Sequence, residues 1–140
     1  MKTNGYRIAK DAPLPNPAYT PEEVIQLILD ALRHNDQPYA DAGIERAMSF
    51  SAPSFRPFPG PSEGFFQMVK NSIYGALINF QRAEFDPIQI AGDRAEQRIT
   101  ITAADGQQAI FVWILAKQSK PPYTDCWMTD GVLRQEDANG

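Results

Sequence analysis

The stretch RITITAADGQQAIFVWIL, residues 98 to 115, constrains this chain more than any other. Two runs rich in β-branched and aromatic residues meet at Asp105-Gly106, a pair that reaches the left-handed backbone of a tight turn at low cost. Read as a two-residue loop, Ala104 pairs with Gln107, and counting outward sets Ile101 against Ile110, Thr100 against Phe111, Ile99 against Val112 and Arg98 against Trp113. Directly opposed residues share a sheet face. This register therefore predicts an aliphatic face of Ile99, Ile101, Ile110, Val112 and Ile114, and a mixed face of Glu96, Arg98, Thr100, Phe111, Trp113 and Leu115. A loop of odd length would swap the assignment of one strand.

The aliphatic face is expected to form the core. The mixed face needs a cover, because IFVWIL does not alternate as a half-wet strand should. A large exposed apolar patch on a monomer marks association. Thr100, Phe111, Trp113 and Leu115 are accordingly the candidate dimer face, with coverage by the chain's own termini as the alternative.

Upstream, the periodicity is helical. In TPEEVIQLILDALRHND, Thr20 is placed to cap, Pro21 suits the first helical position, and Glu23 completes a capping box. Val24, Ile25, Ile28 and Leu32 recur on one face, and Arg33 and His34 close the helix at its negative end. A second helix is expected over residues 39 to 50, with Ile44, Ala47 and Met48 inward and Gly43 as its weak point. A third begins at Ser62, carries Phe65, Met68, Val69 and Ile73, and ends near Gly75. From Asn79 onward the pattern turns to strands: NFQRAEF, PIQIAG, RAEQRITITA, QQAIFVWILAKQ and TDCWMTDGVLRQ. The fold class is α+β, with three N-terminal helices packed on one side of a strongly curved, mixed or antiparallel sheet, a cone-shaped half-barrel. Residues 1–19, with alternate prolines, form an extended arm; 20–134 make one domain; 135–140 are a frayed tail.

Composition narrows the function. The net charge is −4 and the cations are scattered singly, so nothing follows a phosphate backbone, and neither nucleic acid nor an anionic membrane is an expected partner. Cys126 is the one cysteine and His34 the one histidine, which excludes an internal disulfide and leaves no multi-cysteine zinc site. No apolar run nears the roughly 20 residues that span a bilayer. The first residues lack a signal-peptide core, so a reducing, cytoplasmic compartment is the expectation.

Asn35-Asp36, SAPS at 51–54, FFQMV at 65–69, Tyr74, and the terminal Trp127 with Asp130-Gly131, in this order of elements, resemble the nuclear-transport-factor-2-like superfamily and, more narrowly, an uncharacterised domain family within it. The resemblance covers about residues 20–134 and implies a cone-shaped α+β barrel with an interior cavity. Superfamily members include ketosteroid isomerases, polyketide cyclases, dehydratases and non-catalytic dimerisation or binding modules, so the fold implies a cavity and not a chemistry. It also implies a cytoplasmic or plastid-stromal setting.

The superfamily's isomerases and cyclases use a carboxylate inside the cone. Here the strand carboxylates are Glu84, Asp86, Glu96, Asp125 and Asp130, and no combination with His34 matches such a pattern. Asp86-Pro87 and Asp130-Gly131 read as turn or bulge residues, Glu84 and Glu96 as salt-bridge partners of Arg82 or Arg98. His34, in the last turn of its helix, is a dipole partner before it is a base; Cys126 is a small core residue before it is a nucleophile. No catalytic residue, metal site or cofactor is assigned. Pocket or rim candidates are Phe55, Arg56, Phe58, Tyr74, Arg98, Trp113 and Trp127, with Arg98 stacked on Trp113 either to rim the dimer contact or to grip a carboxylate or phenolate, and Tyr74 either satisfied by a backbone carbonyl or lining the cavity.

RPFPGP, residues 56 to 61, admits a third role as a polyproline ligand, but Phe55 and Phe58 alternate as a segment along a cavity mouth would. The function expected is a non-enzymatic homodimeric interaction or assembly module that also engages a protein partner. The alternative is a binder of a small apolar or anionic molecule, or a lyase or isomerase, using the cone interior.

Overall fold

A computed structural model describes residues 14–55 and 74–135. Helix α1 spans Pro21–Arg33 and starts as its sequence dictates: the Glu23 N–H donates to the Thr20 hydroxyl (3.1 Å), and the Thr20 N–H donates to the Glu23 carboxylate (2.9 Å). Val24, Ile25, Ile28, Leu29 and Leu32 are buried along one face. Helix α2, Ala42–Ser49, buries Ile44 and Ala47. Two 3-10 turns follow, Pro53–Phe55 and Gly75–Leu77. The expected third helix lies outside the described residues, apart from Tyr74 and Gly75, the latter opening the second of these turns.

Five strands follow: β1 Arg82–Phe85, β2 Gln89–Ala91, β3 Arg94–Thr102, β4 Gln108–Lys117 and β5 Trp127–Gln135. They form an open antiparallel sheet in the order β1-β3-β4-β5, with β2 also paired to β3. Past α2 the chain runs along the free edge of β5: the Ala52 N–H donates to the Thr129 carbonyl (2.8 Å) and the Thr129 N–H to that of Phe50 (2.7 Å), a parallel bridge of one residue. Asp130 is the extra residue of a bulge, since Ile114 opposes Gly131 and Leu115 opposes Thr129.

The hairpin register differs from the sequence expectation by one residue. Its loop has three residues, Ala104-Asp105-Gly106: the Gly106 N–H closes a turn on the Ala103 carbonyl (2.9 Å), Gly106 takes φ +88°, and the Ala103 N–H donates to the Gln107 carbonyl (2.8 Å). Ile101 therefore faces Ala109, Thr100 faces Ile110, Ile99 faces Phe111, Arg98 faces Val112, and Gln97 faces Trp113. Phe111, Trp113 and Leu115 join Ile99 and Ile101 in the core with the helical side chains, and Ile110, Val112 and Ile114 turn outward. The physical reason is size: Phe, Trp and Leu remove more apolar surface from water than Ile, Val and Ile, and Asp-Gly serves a three-residue loop as readily as a two-residue one. The expected dimer face of Phe111, Trp113 and Leu115 is thus interior, and only Thr100 of that set faces outward.

A side-chain knot joins the two helices to the start of β1. Asn35, 1% exposed, accepts from the Ile44 N–H (2.9 Å) through Oδ1 and donates through Nδ2 to Asp41 (2.9 Å). Its N–H donates to the Asn79 Oδ1 (2.9 Å), and Asn79 and the Asp41 N–H donate to Asp36. Asp41 and Asn79 hold left-handed φ of 62° and 55°, which Asp and Asn accept more readily than other residues with a Cβ. Gly43 is a steric requirement: a Cβ there would sit on the Ala31 carbonyl oxygen and 2.8 Å from the Asn35 Cα, because α2 rests on α1 at this point.

Two substitutions test this knot in urea unfolding. Gly43→Ala is expected to cost more than about 3 kcal/mol, because backbone and not a flexible side chain must yield. Asn35→Ala is expected to cost roughly 2–4 kcal/mol, since it leaves the buried Ile44 N–H without an acceptor.

Candidate functional site

The sheet has two faces with different chemistry. The inner face, beneath α1 and α2, carries Ala95, Gln97, Ile99 and Ile101 from β3 and Ala109, Phe111, Trp113 and Leu115 from β4, all buried. Trp113 satisfies its indole N–H on the Thr129 hydroxyl (3.1 Å), so its polar atom is spent within the core. The Tyr74 hydroxyl donates to the Val132 carbonyl (3.1 Å), and its ring lies 6.5 Å from that of Phe111. Trp127 is buried on β5 with the Lys117 ammonium 5.9 Å from its ring. Phe55 is half-buried and packs against both the main core and a smaller cluster of Ala52, Cys126 and Met128. Arg56 and Phe58 lie outside the described residues.

Arg98 does not stack on Trp113. The shifted register puts it on the outer face opposite Val112, where it pairs with Asp86 at 3.8 Å, and both groups are exposed. Cations meet rings elsewhere: Arg33 over Phe80 and Arg134 over Phe111, each at 5.9 Å.

Several of the titratable groups have structural employment. His34 caps α1, its Nδ1 3.1 Å from the Asp30 carbonyl and 3.7 Å from the Asp30 carboxylate. Cys126 is buried; burial first, and the Asp125 carboxylate second, push its thiol above the ordinary value, which lowers its nucleophilic fraction. Glu84 pairs with Arg82 (3.7 Å), and Asp130 joins Arg94 (3.4 Å) and accepts from the Ser54 hydroxyl (3.0 Å). Among the described residues no three His, Cys, Asp or Glu side chains gather as a metal site, and no helix is long and apolar enough to cross a membrane.

Two features escaped the sequence reasoning. The first is the outer face. Ile110, Val112 and Ile114 are half-buried there, Leu133 opposite Val112 is 57% exposed, and Gly131 opposite Ile114 adds no side chain. Arg98 and Glu96 border this stripe on β3. The lack of alternation in IFVWIL was the signal that both faces carry apolar residues, and the register decided which set is left outside.

The second is Gln97, 2% exposed on the inner face opposite Trp113. Its amide nitrogen donates to the Asp86 carbonyl (2.8 Å), but its Oε1 is buried with no hydrogen-bond partner among the described residues. No sequence signal distinguished it, because a glutamine in a strand usually reaches water. An unpaired buried oxygen costs ~1–3 kcal/mol and the amide bond returns about 1 kcal/mol. Gln97→Met is therefore expected to hold stability level or raise it by up to about 1–2 kcal/mol in urea unfolding.

The comparisons with known proteins bear on family alone. No curated protein and no solved structure matches the chain. Residues 16–139 match the domain of unknown function DUF4864, and the chain, matched over nearly its whole length, belongs to that family.

Proposed function

We propose that this protein is a non-enzymatic interaction or assembly module that pairs with a second copy of itself through the outer sheet face, on a nuclear-transport-factor-2-like half-cone. The single observation that carries this reading is the apolar stripe of Ile110, Val112, Ile114 and Leu133. Met128, also turned outward, is buried in a small cluster with Ala52 and Cys126, whereas Leu133 further along the strand is 57% exposed. The stripe is long enough to interdigitate with another sheet packed face to face.

A second copy suits the borders of the stripe better than an unrelated partner. A two-fold interface must be complementary to itself. Arg82 and Glu84 on β1, and Glu96 and Arg98 on β3, supply both signs on the same face, so a rotated copy can set acid against base. β-Branched Ile and Val also lose little side-chain entropy on ordering.

A second reading, a small-molecule binder using the interior, is favoured by one observation, the unpaired Gln97 oxygen. The two readings occupy opposite faces of the sheet and separate experimentally.

Sedimentation equilibrium is expected to find a dimer at micromolar concentration. Leu133→Asp, at an exposed position that spares the core, should weaken it by at least about 30-fold, the effect of a hot-spot residue. A wild-type chain that stays monomeric to about 100 μM, a contact weaker than roughly −5.5 kcal/mol, would remove the proposal.

A further inference from the structure

We infer that the hollow at the hairpin end of the inner face binds a small monocarboxylate with an apolar body, held by Arg134. Along the inner face the side chains are bulky up to Ile101 and Phe111, then shrink to Ala103 and Ala109. The facing wall, from the 3-10 turn, is made of Gly75 and Ala76 with Ile78 beyond them. Small side chains on both walls leave about 400 Å³ open where a leucine or phenylalanine would otherwise fill it. That volume falls within the ~300–1,000 Å³ of small-molecule sites.

The polar groups at this hollow select the ligand. Arg134 is the one cation among the described lining residues. It stands opposite Phe111 in the β4–β5 ladder, its guanidinium 5.9 Å from that buried ring, which limits where the side chain can lie. A guanidinium presents five donors in a planar fork that matches both oxygens of a carboxylate, and can hold one oxyanion while bonded elsewhere. Asp105 also lines the hollow, and its Oδ1 accepts from the Gln107 N–H (3.0 Å), which ties the carboxylate to the loop. With one cation and one anion on its walls, the site favours a single negative charge over phosphate or a dicarboxylate, whose second charge would meet Asp105. Gln107 and Gln108 add neutral polar groups at the same lining. The alanine floor accepts a short alkyl chain or one aromatic ring.

This site is independent of the sheet-pairing function, since it lies on the other face. It is tested by amide NMR titration of the full chain with hexanoate, hexanol and hexyl phosphate. Hexanoate is expected to give saturable shifts confined to Gly75, Ala103, Ala104 and Gln107, and to bind at least about tenfold more tightly than either of the others. Arg134→Gln should remove that advantage over hexanol, and Asp105→Asn should narrow the advantage over hexyl phosphate. Both substitutions leave the core side chains in place. The inference is overturned by shifts that do not saturate by about 10 mM, by hexanol binding as well as hexanoate, or by an Arg134→Gln chain that keeps its affinity.

Discussion

The closure of one turn decides which side chains this sheet buries. When the Ala103 N–H meets the Gln107 carbonyl across three residues, and Gly106 supplies the left-handed step, all nine pairings of β3 with β4 are set. Phe111, Trp113 and Leu115 go in, and Ile110, Val112 and Ile114 go out. The strand β5 then inherits the same sense through its own pairing, with the bulge at Asp130 shifting it by one residue. Val132 and Thr129 are buried on one side of that bulge and the other, and Leu133 is left in solvent.

The helices are attached to this sheet by polar as well as apolar contacts. Asn35 is buried because each of its side-chain atoms has a partner, which is the condition under which an amide can be buried at little cost. It holds the end of α1, the start of α2 and the entry to β1 at one point. The close seat of α2 on α1 at Gly43 follows from the same geometry. The Asn35-Asp36 pair thus reads as fold chemistry: its carboxylate accepts from the Asp41 N–H and from the amides of Asn79 and Asn35.

The two faces of the sheet, in turn, differ in chemistry. The outer face carries apolar area with charges of both signs beside it; the inner face ends in a small-walled hollow with one guanidinium among its described lining residues. Gln97 stands between these as an exception to the rule that Asn35 obeys, a buried amide whose oxygen has no partner among the described residues.

Much of this was legible from residues alone. Thr20, Pro21 and Glu23 determine where α1 begins, because capping is local and needs no tertiary context. The alternation of RITIT, the Asp105-Gly106 turn and the Asp130-Gly131 bulge determine that there are long antiparallel strands, and the α+β class follows. Tertiary structure alone decided the face assignment. Asp-Gly permits loops of two or three residues at similar local energy, and IFVWIL is apolar on both sides, so neither the turn nor the pattern could break the tie. The larger side chains broke it by packing against α1 and α2, a gain that exists only once helices and sheet are together. The same packing moved Arg98 away from Trp113, left Gln97 inside, and gave Arg134 its place over Phe111.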